Sequence, residues 1–257
     1  MKRRQLFEFT DLAWWPGILR SLLTDYLQVL LKRNRPFAEK SSLIVDALNS
    51  TEETQIIDLC AGASGPWHHL VDKLRVDFGR QVPVILTDKY PDSSVARKSS
   101  ETSDIFYYTQ SVDATDVPAD LRGVRTMFNG FHHFPPDQAR LILRNSVNHR
   151  QPIVIFELLQ RTRLDFLVML LAPLNVLLLT PLIRPLTIVR LLSTYVVPIA
   201  PLVVLWDCLV SVLRCYTPEE LLEMARSVDS DTYNWSAGSY RHKGLPVTYL
   251  AGYPAKD

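Results

Sequence analysis

Short apolar segments alternate with helical segments along most of this chain. Segments typical of buried strands, rich in Ile, Val and Phe, occur at 54–60, 82–87, 105–112, 124–128 and 152–156. Helical periodicity covers the stretches between them, and two further strand-like segments lie near the C-terminus, at 233–240 and 246–252. Such alternation favours a mostly parallel sheet with helices on both faces. We therefore predict an α/β fold with a seven-stranded sheet whose last strand is antiparallel.

Polar residues follow several of these predicted strands. Asp58, Asp88 and Asp113 stand at the ends of the first, second and third strands, and Asn129 follows the fourth. Open parallel sheets bind ligands beyond the carboxyl ends of their strands, so these side chains are expected to line one site. After the first strand comes a loop of small residues, 60–65, through which backbone N–H groups and a helix N-terminus can approach a ligand.

The first strand and its loop, Ile56-Ile57-Asp58-Leu59-Cys60-Ala61-Gly62, resemble the first motif of class I S-adenosylmethionine-dependent methyltransferases, written Asp-x-Gly-x-Gly-x-Gly. The resemblance continues at Asp88, at 111–114, at 129–134 and at 216–221, in the family's order. It implies a Rossmann-like fold, S-adenosylmethionine as cofactor and transfer of its methyl group to a small molecule. It also implies cofactor-binding residues: Asp58, Cys60, Ala61, Gly62 and Ser64 near the methionine moiety, Asp88 at the ribose, Asp113 and Ala114 at the adenine, and Asn129 beside them.

The loop departs from that motif at two glycine positions, which are occupied by Cys60 and Ser64. This departure motivates an alternative function, a membrane-associated, non-catalytic binding protein on a methyltransferase scaffold. A dinucleotide oxidoreductase is disfavoured, because its Gly-x-Gly-x-x-Gly fingerprint is absent from the sequence.

His132 and His133 are the candidate catalytic residues. A neutral imidazole can take a proton from an acceptor during methyl transfer, because it titrates near neutrality. The alternative is that one histidine packs beneath the cofactor and the other caps the following helix near Pro135 and Pro136. Glu157, at the end of the fifth strand, is a candidate substrate contact, with structural pairing to Arg161 as the alternative.

One stretch, residues 166–206, differs from the rest in composition, and we call it the apolar segment. Its 41 residues hold 29 apolar side chains and two charges, whereas the other 216 residues carry 53 charges. Prolines interrupt the uncharged runs of this segment. Three interpretations remain open: a hairpin that dips into one leaflet of a membrane, a cap over an apolar substrate pocket, and a two-pass membrane anchor. The first two predict a hydrophobic or lipid-like acceptor.

Further candidate substrate residues flank this segment. Trp14 and Trp15 belong to an N-terminal helical region that covers the active site in related enzymes, with core packing as the alternative. Asp207 and Ser211 share a helix face with Arg214. A structural Asp207–Arg214 link and recognition of a substrate hydroxyl are both consistent with that spacing.

Four regions are predicted: an N-terminal helical lid (1–50), a cofactor-binding core (51–160), a hydrophobic helical insert (161–215) and a C-terminal helix with a strand pair (216–257). Three cysteines without zinc-ligand spacing indicate neither a disulfide framework nor a metal site. The formal charge of +1 argues against a nucleic-acid partner. Early acidic residues leave no apolar signal-peptide core, so we expect a cytoplasmic location, with a membrane surface as a further partner. The oligomeric state is left open.

Overall fold

The computed structural model describes residues 1–12, 14–62, 65–91 and 104–255. The chain divides into two compact units. The sheet unit comprises residues 35–158 and 217–257, and the helical unit comprises residues 1–34 and 159–216.

The sheet unit contains a seven-stranded sheet in the order β3-β2-β1-β4-β5-β7-β6. Strands β1 to β5 run parallel, whereas β7 pairs antiparallel with β5 and with β6, as predicted. The strands are β1 (Ile56–Leu59), β2 (Val84–Leu86), β3 (Ile105–Tyr107), β4 (Val124–Phe128), β5 (Ile153–Glu157), β6 (Tyr233–His242) and β7 (Leu245–Pro254).

Helices flank this sheet and also build the other unit. In chain order they are α1 (Gly17–Asn34), α2 (Ser42–Asn49), α3 (Trp67–Phe78), α4 (Pro136–Asn148), α5 (Arg163–Met169), α6 (Ala172–Leu179), α7 (Ile188–Leu191), α8 (Ile199–Arg214) and α9 (Pro218–Val228). In the sheet unit, α2 packs against β4, β5 and β7, and α9 packs against α4 and the β6–β7 pair. A capping box fixes the start of α9, where the Thr217 side chain accepts from the Glu220 amide and the Glu220 side chain accepts from the Thr217 amide.

The core of the sheet unit is built from the central strands. Every residue of β1, β4 and β5 is buried, including the polar residues Asp58 and Arg125. Such continuous burial is expected of parallel strands covered on both faces. Phe128 and Phe156 stack in parallel with ring centroids 5.4 Å apart.

The N-terminal boundary of the sheet unit lies at 34/35, whereas the sequence predicts it at 50/51. Residues 35–50 pack with the sheet because Phe37 inserts its ring beside Phe128 and Phe156, at centroid distances of 5.1 and 5.7 Å. The predicted lid and insert also share one unit: residues 1–34 and 159–216 pack together rather than as separate regions.

The helical unit has its own apolar core, in which α1, α6 and α8 meet. Seven buried residues form it: Leu23, Tyr26, Ala172, Val176, Ile183, Val203 and Val204. The helical unit also contains ion pairs. Arg190 of α7 pairs with Asp25 of α1, and the buried Arg214 of α8 pairs with Glu8 at 3.0 Å. These contacts attach the N-terminal residues to α7 and α8.

Among the described residues, no single helix has the length and apolar character needed to cross a membrane. Two pairs of consecutive helices have the required length and apolar composition only when the two helices of each pair are taken together. The pair 163–169 and 172–182 is bent by 41°, and the pair 188–196 and 199–214 is bent by 74°.

Candidate functional site

The strand order reverses beside β1 in the sheet unit. From β1 the chain continues to β2 and β3 on one side, then crosses to β4 and β5 on the other. In open α/β sheets the crevice at such a reversal, outside the carboxyl ends of the strands, is where ligands bind. The ends of β1, β2 and β4 therefore define the candidate site.

The loop after β1 has the open geometry that the sequence predicts. Gly62 and Gly65 adopt left-handed conformations, with φ of +50° and +48°, and an added Cβ at either would meet no atom within 4 Å. Cys60 is also left-handed, with φ of +55°, which is uncommon for a residue other than glycine. Ala61 is buried and donates its amide to the carbonyl of Thr87 at 2.9 Å, which ties the loop to the end of β2. Ser64 lies outside the described residues.

Asp88 is held by backbone amides at the end of β2. Its Oδ2 accepts from the amide of Gly62 at 3.0 Å, and its Oδ1 accepts from the amide of Tyr90 at 2.9 Å. The carboxylate therefore joins the ends of β1 and β2 in a fixed position.

Asp113 lies beyond the end of β3, because that strand ends at Tyr107 and not at residue 112 as predicted. Its Oδ1 accepts from the amide and hydroxyl of Thr115, and its Oδ2 pairs with Lys89 Nζ at 2.7 Å. Burial opposes ionisation of Asp113, but the bonds from Lys89 and Thr115 outweigh it and lower its pKa. The neighbouring Ala114 is buried.

Asp58 differs from the other two acids because it lies inside the sheet. Its side chain is almost fully buried and accepts a hydrogen bond from the Thr126 hydroxyl at 2.6 Å. Burial raises its pKa from 3.8 to about 7, against the opposing effect of the bonds from Thr126 and Trp67. Asp58 thus joins β1 to β4 through its side chain.

Four acidic side chains lie near enough to Cys60 for their charge to act on its thiol. Burial raises the pKa of its thiol, and the negative charges that add to this effect belong to Asp88, Asp58, Asp113 and Glu157. These residues come from the ends of four different strands or the loops after them. The structure therefore gathers the predicted acidic residues around the loop after β1.

Asn129 turns the chain after β4. It has a left-handed φ of +53°, and its side-chain oxygen accepts from the amide of Leu158 at 2.8 Å. Its own amide donates to the carbonyl of Phe156 at 2.8 Å. Asn129 consequently joins the ends of β4 and β5. An added Cβ on the next residue, Gly130, would lie 3.3 Å from the Cβ of Cys60, so this turn approaches the loop after β1 closely.

Glu157 and His132 form a buried pair at the edge of this site. His132 Nδ1 lies 2.5 Å from Glu157 Oε2, while Glu157 Oε1 accepts from the amide of Phe131 at 2.6 Å. The ring of His133 packs on that of His132 with centroids 4.2 Å apart. This pairing was not predicted from the sequence. Glu157 ends β5 and His132 follows β4, and these two strands are neighbours in the sheet.

The remaining candidate residues belong to the helical unit. The side chain of Trp14 is 71% exposed, whereas Trp15 packs on Phe9 with ring centroids 4.7 Å apart. Of the two alternatives for Trp15, this contact supports core packing. Ser211 is buried and donates its hydroxyl to Glu8 at 2.9 Å.

The predicted Asp207–Arg214 link is wrong. Asp207 accepts from the backbone amides of Phe9 at 2.8 Å and Thr10 at 3.4 Å, and burial raises its pKa to about 6. Arg214 pairs instead with Glu8 and with Asp11. Helical spacing alone could not identify these partners, because they come from a segment about 200 residues earlier in the chain.

Comparisons with known proteins give structural matches only. No family model and no curated protein matches the sequence. The plantazolicin methyltransferase BpumL, solved in complex with SAH, is similar with a TM-score of 0.52 and 8% identity, covering 93% of this chain and 98% of that one.

Two longer proteins are similar at lower TM-scores. LepI in complex with SAM gives 0.45 at 18% identity, covering 82% of this chain and 46% of that one. Human N-acetylserotonin methyltransferase in complex with SAM gives 0.48 at 12% identity, covering 92% and 56%. This chain spans about half the length of these two proteins. Its strand order and its similarity to BpumL give the same conclusion: the chain has the Rossmann-like methyltransferase fold that its sequence predicts.

Proposed function

We propose that this protein is an S-adenosylmethionine-dependent methyltransferase that acts on a hydrophobic small molecule. The observation that carries the proposal is the open loop after β1 at the reversal of the strand order, where the amide of Gly62 donates to the fixed carboxylate of Asp88. The similarity to BpumL, a methyltransferase solved with SAH, supports the same cofactor class.

The residues at this edge fit the proposed cofactor. The open space beside Gly62 and Gly65 suits the methionine moiety, since backbone N–H groups can approach a ligand there. The fixed carboxylate of Asp88 suits the hydroxyls of a ribose, and Asp113 with Ala114 suits an adenine amino group. Asp58 lies in β1 just before the loop, and the hydrogen bond from Thr126 fixes its side chain. When bound, the cofactor supplies an electrophilic methyl group on a sulfonium centre.

His132 is the proposed base for an acceptor that must lose a proton. Glu157 holds the imidazole through Nδ1, so Nε2 is the nitrogen that takes the proton. The carboxylate stabilises the imidazolium that results, as in other histidine–carboxylate pairs. His133, stacked on His132, lines the same edge.

The acceptor is proposed to be apolar because the apolar segment enters the chain between β5 and α9, a common position for substrate-recognition elements in this family. Trp14, Asp207 and Ser211 of the helical unit remain candidate substrate contacts. A lipid, an isoprenoid and a quinone-like molecule all have the required character.

Calorimetry with S-adenosylhomocysteine tests the cofactor assignment. Wild-type protein is expected to bind it, and Asp88→Asn is expected to weaken binding about 10- to 100-fold, because a hydrogen bond to a charged group contributes about 1.5–3 kcal/mol. Asp120→Asn, on an exposed loop of the same unit, is the matched control and should bind normally. Equal affinity in wild type and Asp88→Asn would contradict the ribose assignment.

Incubation with isotopically labelled cofactor and a lipid extract, followed by mass spectrometry, tests the reaction. A labelled apolar product is the expected result. The two glycine positions taken by Cys60 and Ser64 favour one alternative, a non-catalytic binding protein. Cofactor binding with no labelled product from any extract would support that alternative.

A further inference from the structure

The two units carry opposite charges, which the near-neutral total conceals. The helical unit holds 11 basic and 5 acidic side chains, a formal charge of +6, whereas the sheet unit holds 17 and 22, a formal charge of −5. The total is therefore +1, although each unit is strongly charged by itself.

Six of the eleven basic residues of the helical unit are exposed, whereas its five acids are engaged in hydrogen bonds or ion pairs. Glu8 and Asp11 pair with Arg214, Asp25 pairs with Arg190, Asp165 accepts from Thr162, and Asp207 accepts from backbone amides. Six basic residues of this unit are exposed: Lys2, Arg4, Lys32, Arg33, Arg163 and Arg184. The solvent-facing charge of the unit is consequently positive.

The same unit exposes an unusual amount of apolar surface. Nineteen large apolar residues between 164 and 206 are exposed, against five in the described part of the sheet unit. Ile188 is 75% exposed, Val196 67% and Leu178 63%. Apolar surface of this extent marks an interaction site.

Exposed basic residues flank and interrupt this apolar surface. Arg163 precedes the exposed Leu164, and Arg184 stands between the exposed Leu182 and Leu186. Long basic side chains can rest on apolar surface and place their charge at an anionic headgroup. Exposed leucines together with arginines are the composition of interfacial membrane helices.

We infer that the helical unit docks on an anionic lipid bilayer, with the exposed side chains of 164–206 in the headgroup and upper acyl region. The bent helix pairs, at 41° and 74°, suit an interfacial position better than a straight crossing. A bilayer is favoured over a second copy paired through the same surface, because that symmetric contact would bring two positively charged helical units together. The inference goes beyond the proposed function and does not depend on methyl transfer.

Vesicle flotation with the full chain tests the inference. Protein is incubated with phosphatidylcholine vesicles and with vesicles that also contain phosphatidylglycerol. We expect flotation with the anionic vesicles, at least tenfold weaker binding to the neutral ones, and loss of that difference at high salt. Absence of binding to both vesicle types, or equal binding to both, would overturn the inference.

Two sets of variants separate the charged from the apolar contribution. Arg163→Gln with Arg184→Gln should weaken binding to anionic vesicles about 30-fold, from about 1 kcal/mol per basic residue, while Arg144→Gln with Arg226→Gln on the sheet unit should not. Ile188→Ser with Val196→Ser and Leu202→Ser should abolish binding, whereas Val76→Ser, exposed on α3, should not.

S-adenosylhomocysteine binding by each variant provides a check on folding that is independent of lipid. Retained cofactor binding with lost flotation supports the docking surface. Light scattering measures the oligomeric state and so tests whether a second copy covers this surface. A dimer that depends on Ile188 and Val196, without vesicle binding, would assign the surface to a second copy and overturn the lipid inference. Loss of cofactor binding in the wild type would contradict the proposed function and leave the vesicle result standing.

Discussion

Asp58 lies within β1 and Asp88 follows the neighbouring strand β2, and their surroundings are opposite. Asp58 is enclosed by the sheet and bonded to Thr126, whereas Asp88 stands beyond the strand and bonds the loop amides. Burial penalises the ionised form of a carboxyl, which explains the raised pKa of Asp58. The stability of the fold is therefore expected to depend on the titration of Asp58.

The raised pKa of Asp58 predicts a pH-dependent stability. The folded protein holds a proton up to about pH 7 that the unfolded chain releases near 3.8, so the free energy of unfolding falls as pH rises between these values. The loss amounts to at most about 4 kcal/mol. Urea unfolding from pH 4 to 8 should show this slope in wild type and in Asp120→Asn, and a smaller slope in Asp58→Asn. Identical slopes in all three would contradict the burial effect.

The His132–Glu157 pair predicts a pH-dependent rate. His132→Gln should lower the rate of methyl transfer about 10²- to 10⁴-fold with cofactor affinity unchanged, as expected for loss of a general base. Glu157→Gln should move the acidic limb of the rate profile to lower pH, because the imidazolium loses its carboxylate partner. Glu223→Gln, exposed on α9, serves as the control. An unchanged rate in His132→Gln would leave His132 as a residue that only lines the pocket.

At the scale of elements, the strand pair β6–β7 contains tight contacts between a glycine of one strand and an aromatic ring of the other. Gly252 of β7 lies opposite Trp235 of β6, and an added Cβ at Gly252 would come within 2.1 Å of the indole ring. The indole thus occupies the space above the glycine and holds the register of the pair.

This contact predicts that Gly252→Ala destabilises the protein by about 1–3 kcal/mol, the usual cost of overpacking. The measurement is the free energy of unfolding in urea. In a Trp235→Ala background the same substitution should cost much less, because the clashing ring is gone. An equal cost in both backgrounds would show that the ring is not the cause.

At the scale of the whole molecule, the cofactor should stabilise the fold. Saturation at about 100 times the dissociation constant adds about 2.7 kcal/mol, which for a chain of this size raises the Tm by about 5–10 °C. Thermal melts followed by circular dichroism should show this rise with S-adenosylhomocysteine in wild type and Asp120→Asn. At the same ligand concentration the rise should be much smaller in Asp88→Asn.

The sequence was sufficient for what depends on local patterns. Strand and helix periodicity predicted the parallel sheet with its antiparallel end, because burial on both faces produces continuous apolar strands. The polar residues at the predicted strand ends were expected at one edge of the sheet, because parallel strands end at the same edge, and Asp88 does accept from the amide of Gly62 in the loop after β1. The end of β3 was placed five residues too late, because residues 108–112 lie outside the strand even though the amides of Tyr108 and Val112 donate to the carbonyls of Leu86 and Asp88.

Only the tertiary structure decided which groups meet. The Glu157–His132 pair joins residues 25 positions apart, and the partners of Asp207 and Arg214 come from the opposite end of the chain. The structure also divided a chain of charge +1 into units of +6 and −5. Local propensity does not encode these long-range contacts, because they arise from packing between segments that are distant in sequence.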